Sequence, residues 1–518
     1  MGSSTRNQRS ARNLVYGLCK QLFILLLNFA VKTVFIKTLG KDFLGLNGLF
    51  SNIFLLFSFA EFGLGAAMTY SFYGPFARGE REKCRQLYHY FRRMYRAMSL
   101  LVLGLGMLVI PLMPYLVDLD LPMTQVVAYY LLYILSSCVS NWFLYQANVL
   151  VADQNQYLVS RIQLILETAC FLLQIVVLIW LRSFALYLAC VVIKFLITGV
   201  CYQVELRRQY PYLEQKAVLP RAERAEILEN TKTLFVYKFA RALINSTDNL
   251  LISVLVGTVW IGLYSNYQFV VVGVQGLVSA LFSAFTASVG NLVAQRIPQA
   301  QYRVYRAVDL IDVWVSGFTA ACLLALFQDF IALWAGVDYL LDLPAVILIV
   351  AIYYLRVIRE GICMFREAAG LFTPFKNVTL ITAALNLVLS VILGRAFGLI
   401  GIFAATVVAI LATYFWYEPY LTYKRLFHRP FGEYVKRQAA QLAVTLAVVG
   451  VTCWLCALLP AASVGGFIGK MALCAVVPNA LFYLIYRRTE EFGALMDTLR
   501  DLWRHRTGKG GEQHHAAH

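Results

Sequence analysis

KFARALINSTDNLLISVLVGTVWIGLYSN, residues 238–266, reads as a membrane-crossing helix with charge where hydrocarbon forbids it. At about 100° per residue, Lys238, Arg241, Asn245 and Asp248 fall on one face of an otherwise apolar cylinder. A charge at the bilayer centre costs ~2.5–3.5 kcal/mol, whereas each Leu or Ile contributes only ~0.3–0.6 kcal/mol towards insertion. Three charges on one lipid-facing stripe would be hard to insert. The face must look into protein or into a water-filled cavity.

The second half of this stretch has an echo near the N-terminus. Val256-Gly257-Thr-Val-Trp-Ile-Gly262-Leu263 resembles Leu39-Gly40-Lys-Asp-Phe-Leu-Gly45-Leu46, with each glycine displaced by 217 positions. Ala77 matches Ala294 and Ala152 matches Ala369 at the same offset, and Arg182-Ser-Phe184 matches Arg395-Ala-Phe397 at 213. Two halves of one chain are built on one plan, in the same orientation.

Composition sets the class. Of 518 residues 60% are hydrophobic and only 14% charged, far from the ~45–50% and ~25% of soluble domains, so the chain is an all-α polytopic membrane protein. Apolar segments of spanning length, ~20 residues each, occur about fourteen times. They lie near 14–38, 43–73, 88–116, 123–150, 157–181, 184–205, 233–257, 262–294, 307–334, 344–368, 374–394, 398–423, 438–459 and 464–486. The polar, basic Met1–Asn13 precedes a run long enough to remain as the first helix, so no cleavable signal is expected.

Lys and Arg place the loops. Arg6, Arg9 and Arg12, then Arg78 to Arg93, Arg207 to Arg224, Arg296 to Arg306 and Lys424 to Arg437 fall on one side; the alternate short loops hold Asp118, Asp120, Asp338 and Asp342. The positive-inside rule puts both termini in the cytoplasm. It also accounts for the net charge of +17 without nucleic acid. The expected division is an N-terminal six-helix bundle over 1–206, a basic cytoplasmic linker over 207–232, a second six-helix bundle over 233–424, two further helices within 425–487, and a cytoplasmic tail over 488–518. The eleven cysteines lie mostly inside apolar runs as small packing residues, Cys453 and Cys456 included. His514, His515 and His518 read as a polar tail, and the sequons at Asn245 and Asn377 fall at membrane or cytoplasmic depth. No metal site and no cofactor are expected.

Polar residues recur on single faces of other segments. The first helix aligns Gln21, Asn28 and Lys32, with Lys20 one turn nearer the cytoplasm; the second aligns Asn47, Ser51, Ser58, Glu61 and Thr69. The fifth aligns Gln163, Glu167 and Gln174, the sixth carries Lys194, and the tenth aligns Tyr353, Arg356, Glu360 and Glu367, flanked by Arg359 and Arg366. Two readings stand for such groups. They are structural ion pairs, as Arg356 and Glu360 at i,i+4 suggest, or they line a functional cavity, the default for intramembrane charge. Arg366, Glu367, Asp309 and Asp312 are expected at the interface. Lys32, Glu61, Lys238, Arg241 and Asp248 are expected in a polar cavity. Deep bases (Lys20, Lys32, Lys194, Lys238, Arg241, Arg356, Arg359) outnumber deep acids (Glu61, Glu167, Asp248, Glu360), which suits an anion, and arginine suits phosphate.

Segments such as TDNLLISVLVGTVWIGLYSN, together with FIKTLGKDFLGLNGLFSNIFLLFSFAEFGLGAAM (35–68), resemble the multidrug/oligosaccharidyl-lipid/polysaccharide exporter (MOP) superfamily, and within it the Wzx-like polysaccharide flippases. That resemblance implies a V-shaped transporter of the bacterial plasma membrane, moving undecaprenyl-pyrophosphate-linked oligosaccharide by alternating access. Polysaccharide polymerase and glycosyltransferases are its implied partners. The family's acidic positions in helices two and seven land on Glu61 and Asp248, with coupling to H+ or Na+; its cavity bases land on Lys32, Lys238 and Arg241 by helix placement. Arg356, Arg359 and Lys194 complete the expected substrate-binding set, and Glu167 and Glu360 the charge-pairing set. A lipid II flippase and a cation-coupled drug exporter are the alternatives. A polymerase or ligase needs a sizeable outer loop, which the chain lacks, so no enzyme activity is expected.

Overall fold

Backbone amides in hydrocarbon have no water to bond, so a chain this apolar must close its hydrogen bonds within each segment. The computed structural model describes residues 3–153, 155–221, 223–225, 227–228, 248–294, 297–371, 373–460 and 463–493; the side chains of 3–22, of 55–63 and of scattered further positions lie outside the description. Its main elements are α1 (Ser3–Arg78), α2 (Arg81–Val109), α3 (Met123–Ala152), α4 (Gln156–Trp180), α5 (Phe184–Gln209), α6 (Thr258–Ala294), α7 (Pro298–Trp334), α8 (Leu343–Val357), α9 (Glu360–Ala368), α10 (Thr373–Ala412), α11 (Tyr414–Thr422), α12 (Phe431–Ala457) and α13 (Val464–Tyr486). No strand occurs among the described residues.

Ten helices among the described residues are long and apolar enough to cross a membrane, consistent with an all-α polytopic membrane protein. One of these spans, Asn377–Phe427, takes in most of the segment expected at 374–394 and all of that at 398–423. They meet at Gly398, whose φ of 59° interrupts the helix. The single helix expected over 344–368 is broken instead into α8 and α9, with turn residues between them.

Packing divides the chain into two units. The first comprises Met1–Asn266 with Ala383–Ile402, the second Tyr267–Thr382 with Phe403–His518. The sequence boundaries near 206 and 233 follow the repeat, whereas these units follow contact. In the first unit α3 packs against α1, α2 and α5, and α4 packs on α1 and α5. Phe72, Tyr88, Phe91, Tyr95 and Tyr145 fill its buried aromatic core. In the second, α7 is the hub, touching α8, α9, α12 and α13.

The repeated glycines have a physical cause inside the first unit. Gly40 (φ 80°) and Gly257 (φ 125°) both adopt backbone that side chains disfavour, and each breaks the chain just before a long helix segment. The two segments then cross. A β-carbon at Gly45 would lie 2.5 Å from the carbonyl oxygen of Thr258, and one at Gly262 would lie 3.0 Å from that of Lys41 and 2.7 Å from the Gly45 nitrogen. Lys41 and Thr258 are themselves related by the 217-residue offset, so the contact is reciprocal, as at a local two-fold axis. Neighbouring hydrogen bonds fix the crossing to the end of α2's membrane span. Asp118 N–H donates to Thr258 Oγ1 (3.1 Å), and the hydroxyls of Ser253 and Thr258 donate to the Leu116 carbonyl (2.5 and 3.1 Å).

Because the obstacle at Gly45 is backbone, a larger residue cannot be relieved by a rotamer change. Gly45→Val is expected to destabilise by about 3 kcal/mol, read as a lowered thermal midpoint of the purified protein. Gly104→Ala is the control: Gly104 lies in α2 with nothing near its missing β-carbon, and it should be neutral or up to ~1 kcal/mol stabilising. Equal midpoints for Gly45→Val and the parent would remove the crossing as a constraint.

Candidate functional site

The polar face read on the first helix is partly assembled by this crossing. Lys32 on α1 is half-buried, and its Nζ donates to the Ser265 carbonyl (2.7 Å) and to Ser265 Oγ (3.3 Å). Those two acceptors aim the ammonium. Asn249 occupies the position equivalent to Lys32 in the second repeat. Its Nδ2 donates to Asn52 Oδ1 (2.8 Å), and Asn52 Nδ2 donates to the Gly48 carbonyl (2.7 Å), the residue equivalent to Ser265. The two repeats thus clasp one another on both flanks of the glycine contact, once through a cation and once through an amide. Asp248, next to Asn249 in the helical residues 248–255, is buried. On the second helix segment, Ser51 and Tyr133 share a hydrogen bond of 2.8 Å.

Lys238 and Arg241 lie outside the described residues, as does the side chain of Glu61. Lys194 and Glu167 are half-buried in α5 and α4, the Lys194 ammonium 4.3 Å from the centroid of the Phe195 ring. Arg356, at the end of α8, is half-buried and makes no ion pair among the described residues.

In the second unit Arg366, Asp309 and Asp312, expected at the interface, are buried instead, whereas Glu367 is exposed. Arg359 and Arg366 converge on Glu418 of α11, whose side chain is 0% exposed; Arg366 Nε donates to Glu418 Oε1 at 2.6 Å, and Arg359 donates to Glu418 Oε2. Both guanidiniums also lie over rings, Arg359 over Tyr414 (4.2 Å) and Arg366 over Phe375 (4.4 Å). A guanidinium already gripped by a carboxylate and a ring is a poor donor for a passing anion. For Arg359 the structural reading gains over the substrate one.

Asp309 and Asp312 are likewise interior. Asp309 accepts from Gln441 Nε2 (2.7 Å) and Tyr305 Oη (3.0 Å) and faces Arg437 at 3.3 Å. Asp312, 1% exposed, accepts the Gly361 N–H at 2.6 Å. A β-carbon at Gly361 would crowd that same oxygen, so the glycine permits the approach. Lys470 of α13 and Asp329 of α7 form a further buried pair. Sequence periodicity finds a helix's polar face but not whether a neighbour covers it, which is why these acids read as interfacial. Glu418 had no signal at all: it sits alone in the aromatic run YFWYEPY, with its partners 52 and 59 residues away.

Removing one member of such a set strands the others. Glu418→Gln is expected to cost about 3–5 kcal/mol, and the triple change Arg359→Met, Glu418→Leu, Arg366→Met to recover most of it. Thermal midpoints of the two variants against the parent check both; a mild single variant would mean that the arginines are neutralised elsewhere.

No protein-family model matches the chain, and no curated protein does. Solved structures do. The chain is similar to a lipid II flippase, MurJ, in an inward closed conformation, at 15% identity with a TM-score of 0.66, covering 91% of this chain and 99% of that one. It is similar to a multidrug resistance MATE family transporter of the MOP superfamily in an inward-facing conformation, at 13% identity and TM-score 0.63, covering 76% and 96%. A variant of the Vibrio cholerae MATE transporter VcmN matches at 16% identity and TM-score 0.53, covering 82% and 100%. At these identities the likeness is one of fold: the chain shares the helical architecture of these solved transporters.

Proposed function

We propose that the chain is a flippase that carries undecaprenyl-pyrophosphate-linked oligosaccharide repeat units from the cytoplasmic to the outer leaflet of a bacterial plasma membrane by alternating access. The observation that carries this reading is a fold shared with a lipid II flippase over 91% of the chain, combined with the bases Lys32, Lys238, Arg241 and Arg356 that the sequence places in membrane-spanning segments. Lys32, aimed by Ser265, is a member of the proposed pyrophosphate-binding set; Lys238, Arg241 and Arg356 are assigned to it from the sequence alone. The glycan occupies a hydrated cavity while the polyprenyl tail stays in lipid. Glu61 or Asp248 takes up the coupling H+ or Na+. No bond is made or broken in the substrate, and polysaccharide polymerase and glycosyltransferases act before and after the transfer.

Lipid II is the second reading, favoured by the same likeness and by the same basic residues, since it too presents a pyrophosphate. An organic-cation exporter fits less well: a cationic drug wants an acidic or aromatic cavity, and the multidrug relative covers only 76% of the chain.

The test is translocation of a fluorescent undecaprenyl-pyrophosphate oligosaccharide in proteoliposomes. The parent should be active. Lys32→Gln with Lys238→Gln and Arg241→Gln should lose at least about tenfold, because each charge-assisted hydrogen bond contributes ~1.5–3 kcal/mol and 1.4 kcal/mol is a factor of ten. Undiminished transport in the triple variant would discard these residues. A parent that moves only lipid II, or only organic cations, would replace the substrate.

A further inference from the structure

One edge of α2 carries more positive charge than the transport reading uses. Arg81, Arg85, His89, Arg92 and Arg96 fall within an arc of ~80° at helical spacing. Its lower end is covered by the chain itself. Arg85 donates to Glu82 and to the Gln215 side chain, His89 bonds the Gln215 carbonyl (2.7 Å), and Arg81 lies 5.7 Å from the Tyr212 ring centroid. The upper end is not covered. Arg92 and Arg96 are half-buried, their Nε atoms are buried without a hydrogen-bond partner, and neither makes an ion pair among the described residues. No Asp or Glu occurs between Glu82 and Asp118 to neutralise them.

Two rulers give their depth. Residues 97–117 contain no charge, and at 1.5 Å per residue they measure about 30 Å, the thickness of the hydrocarbon core. Arg96 therefore stands at one boundary of the core, with Arg92 a turn further out among headgroups. On α3, Trp142 lies 5.0 Å beneath the Arg96 guanidinium. Counted from Met123 at the opposite end of its helix, it is again about 28 Å away, the depth at which indole rings gather.

Above Arg96 the same edge turns apolar and open. Leu100 and Met107 are exposed and continue the line of Arg96 towards the membrane centre. An arginine pair beneath an exposed apolar track fits a ligand with a phosphate at one end and an acyl chain at the other. We propose that Arg92 and Arg96, with the exposed Arg93 beside them, bind the phosphate of an anionic phospholipid, whose chain lies along Leu100 and Met107. The planar fork of arginine donors matches phosphate oxygens, and Trp142 braces the second guanidinium. This site requires only that α2 spans the membrane; it stands or falls apart from the flippase reading.

The experiment is native mass spectrometry of the full-length protein in detergent, titrated separately with phosphatidylglycerol, phosphatidylcholine and undecaprenyl phosphate. The parent should prefer phosphatidylglycerol over phosphatidylcholine, and Arg92→Gln with Arg96→Gln should lose that preference by about fivefold per arginine. Arg96→Lys keeps the charge but not the fork and should fall between them; it also carries the test if the double variant does not fold. An unchanged preference in a folded double variant would overturn the site. So would binding of undecaprenyl phosphate in place of phosphatidylglycerol, which would make the arginines a contact for the polyprenyl substrate.

Discussion

The contact between Gly45 and Gly262 is the constraint around which the first unit is arranged. With a carbonyl oxygen 2.5 Å from where a β-carbon would be, no side chain fits without moving backbone. Because each glycine meets the carbonyl four residues before its counterpart, the crossing satisfies both repeats by one geometry. The positive-φ turns at Gly40 and Gly257 precede the two segments that meet there. Everything polar nearby is then placed by consequence: Lys32 against Ser265, Asn249 against Asn52, and the Leu116–Asp118 segment against Ser253 and Thr258.

The second unit is held differently. Along α7, Asp309, Asp312 and Asp329 each find a partner in a different element: Arg437 and Gln441 in α12, the Gly361 amide in α9, and Lys470 in α13. One helix thus ties its neighbours at several depths. Ion pairs out of water contribute little net stability but are costly to break, so they specify which helix face meets which. The Arg359–Glu418–Arg366 set does the same for α9 and α11. In this unit most deep charge is explained by packing; in the first, Lys32 is oriented by the carbonyl and the hydroxyl of Ser265.

Much of this was legible in the sequence, for reasons that can be named. Hydropathy and span length fix the helices because lipid leaves no other solution, and the glycine echo is visible because backbone crowding tolerates no substitute. The break between α8 and α9 was not legible: the turn at Ile358–Arg359 contains neither Gly nor Pro, and Arg356 and Glu360 look like an ordinary i,i+4 pair until the helix between them ends. Glu418 was silent because an ion pair across more than fifty residues leaves no local pattern. Arg92 was counted only as loop charge and Arg96 drew no notice, since the positive-inside rule notes which side a base lies on and not whether it has a partner.

The repeat also makes the chain its own comparison. Positions that are glycine in both copies, 40 with 257 and 45 with 262, are those where the backbone demands it. Positions that differ around them are free of that demand: Lys32 against Asn249, Lys41 against Thr258, Asn52 against Phe269. An amide suffices to close the clasp, as Asn249 shows by doing so. Lysine at the equivalent place therefore brings something that closure does not require, a longer side chain whose amino group is held at the crossing by a carbonyl and a hydroxyl.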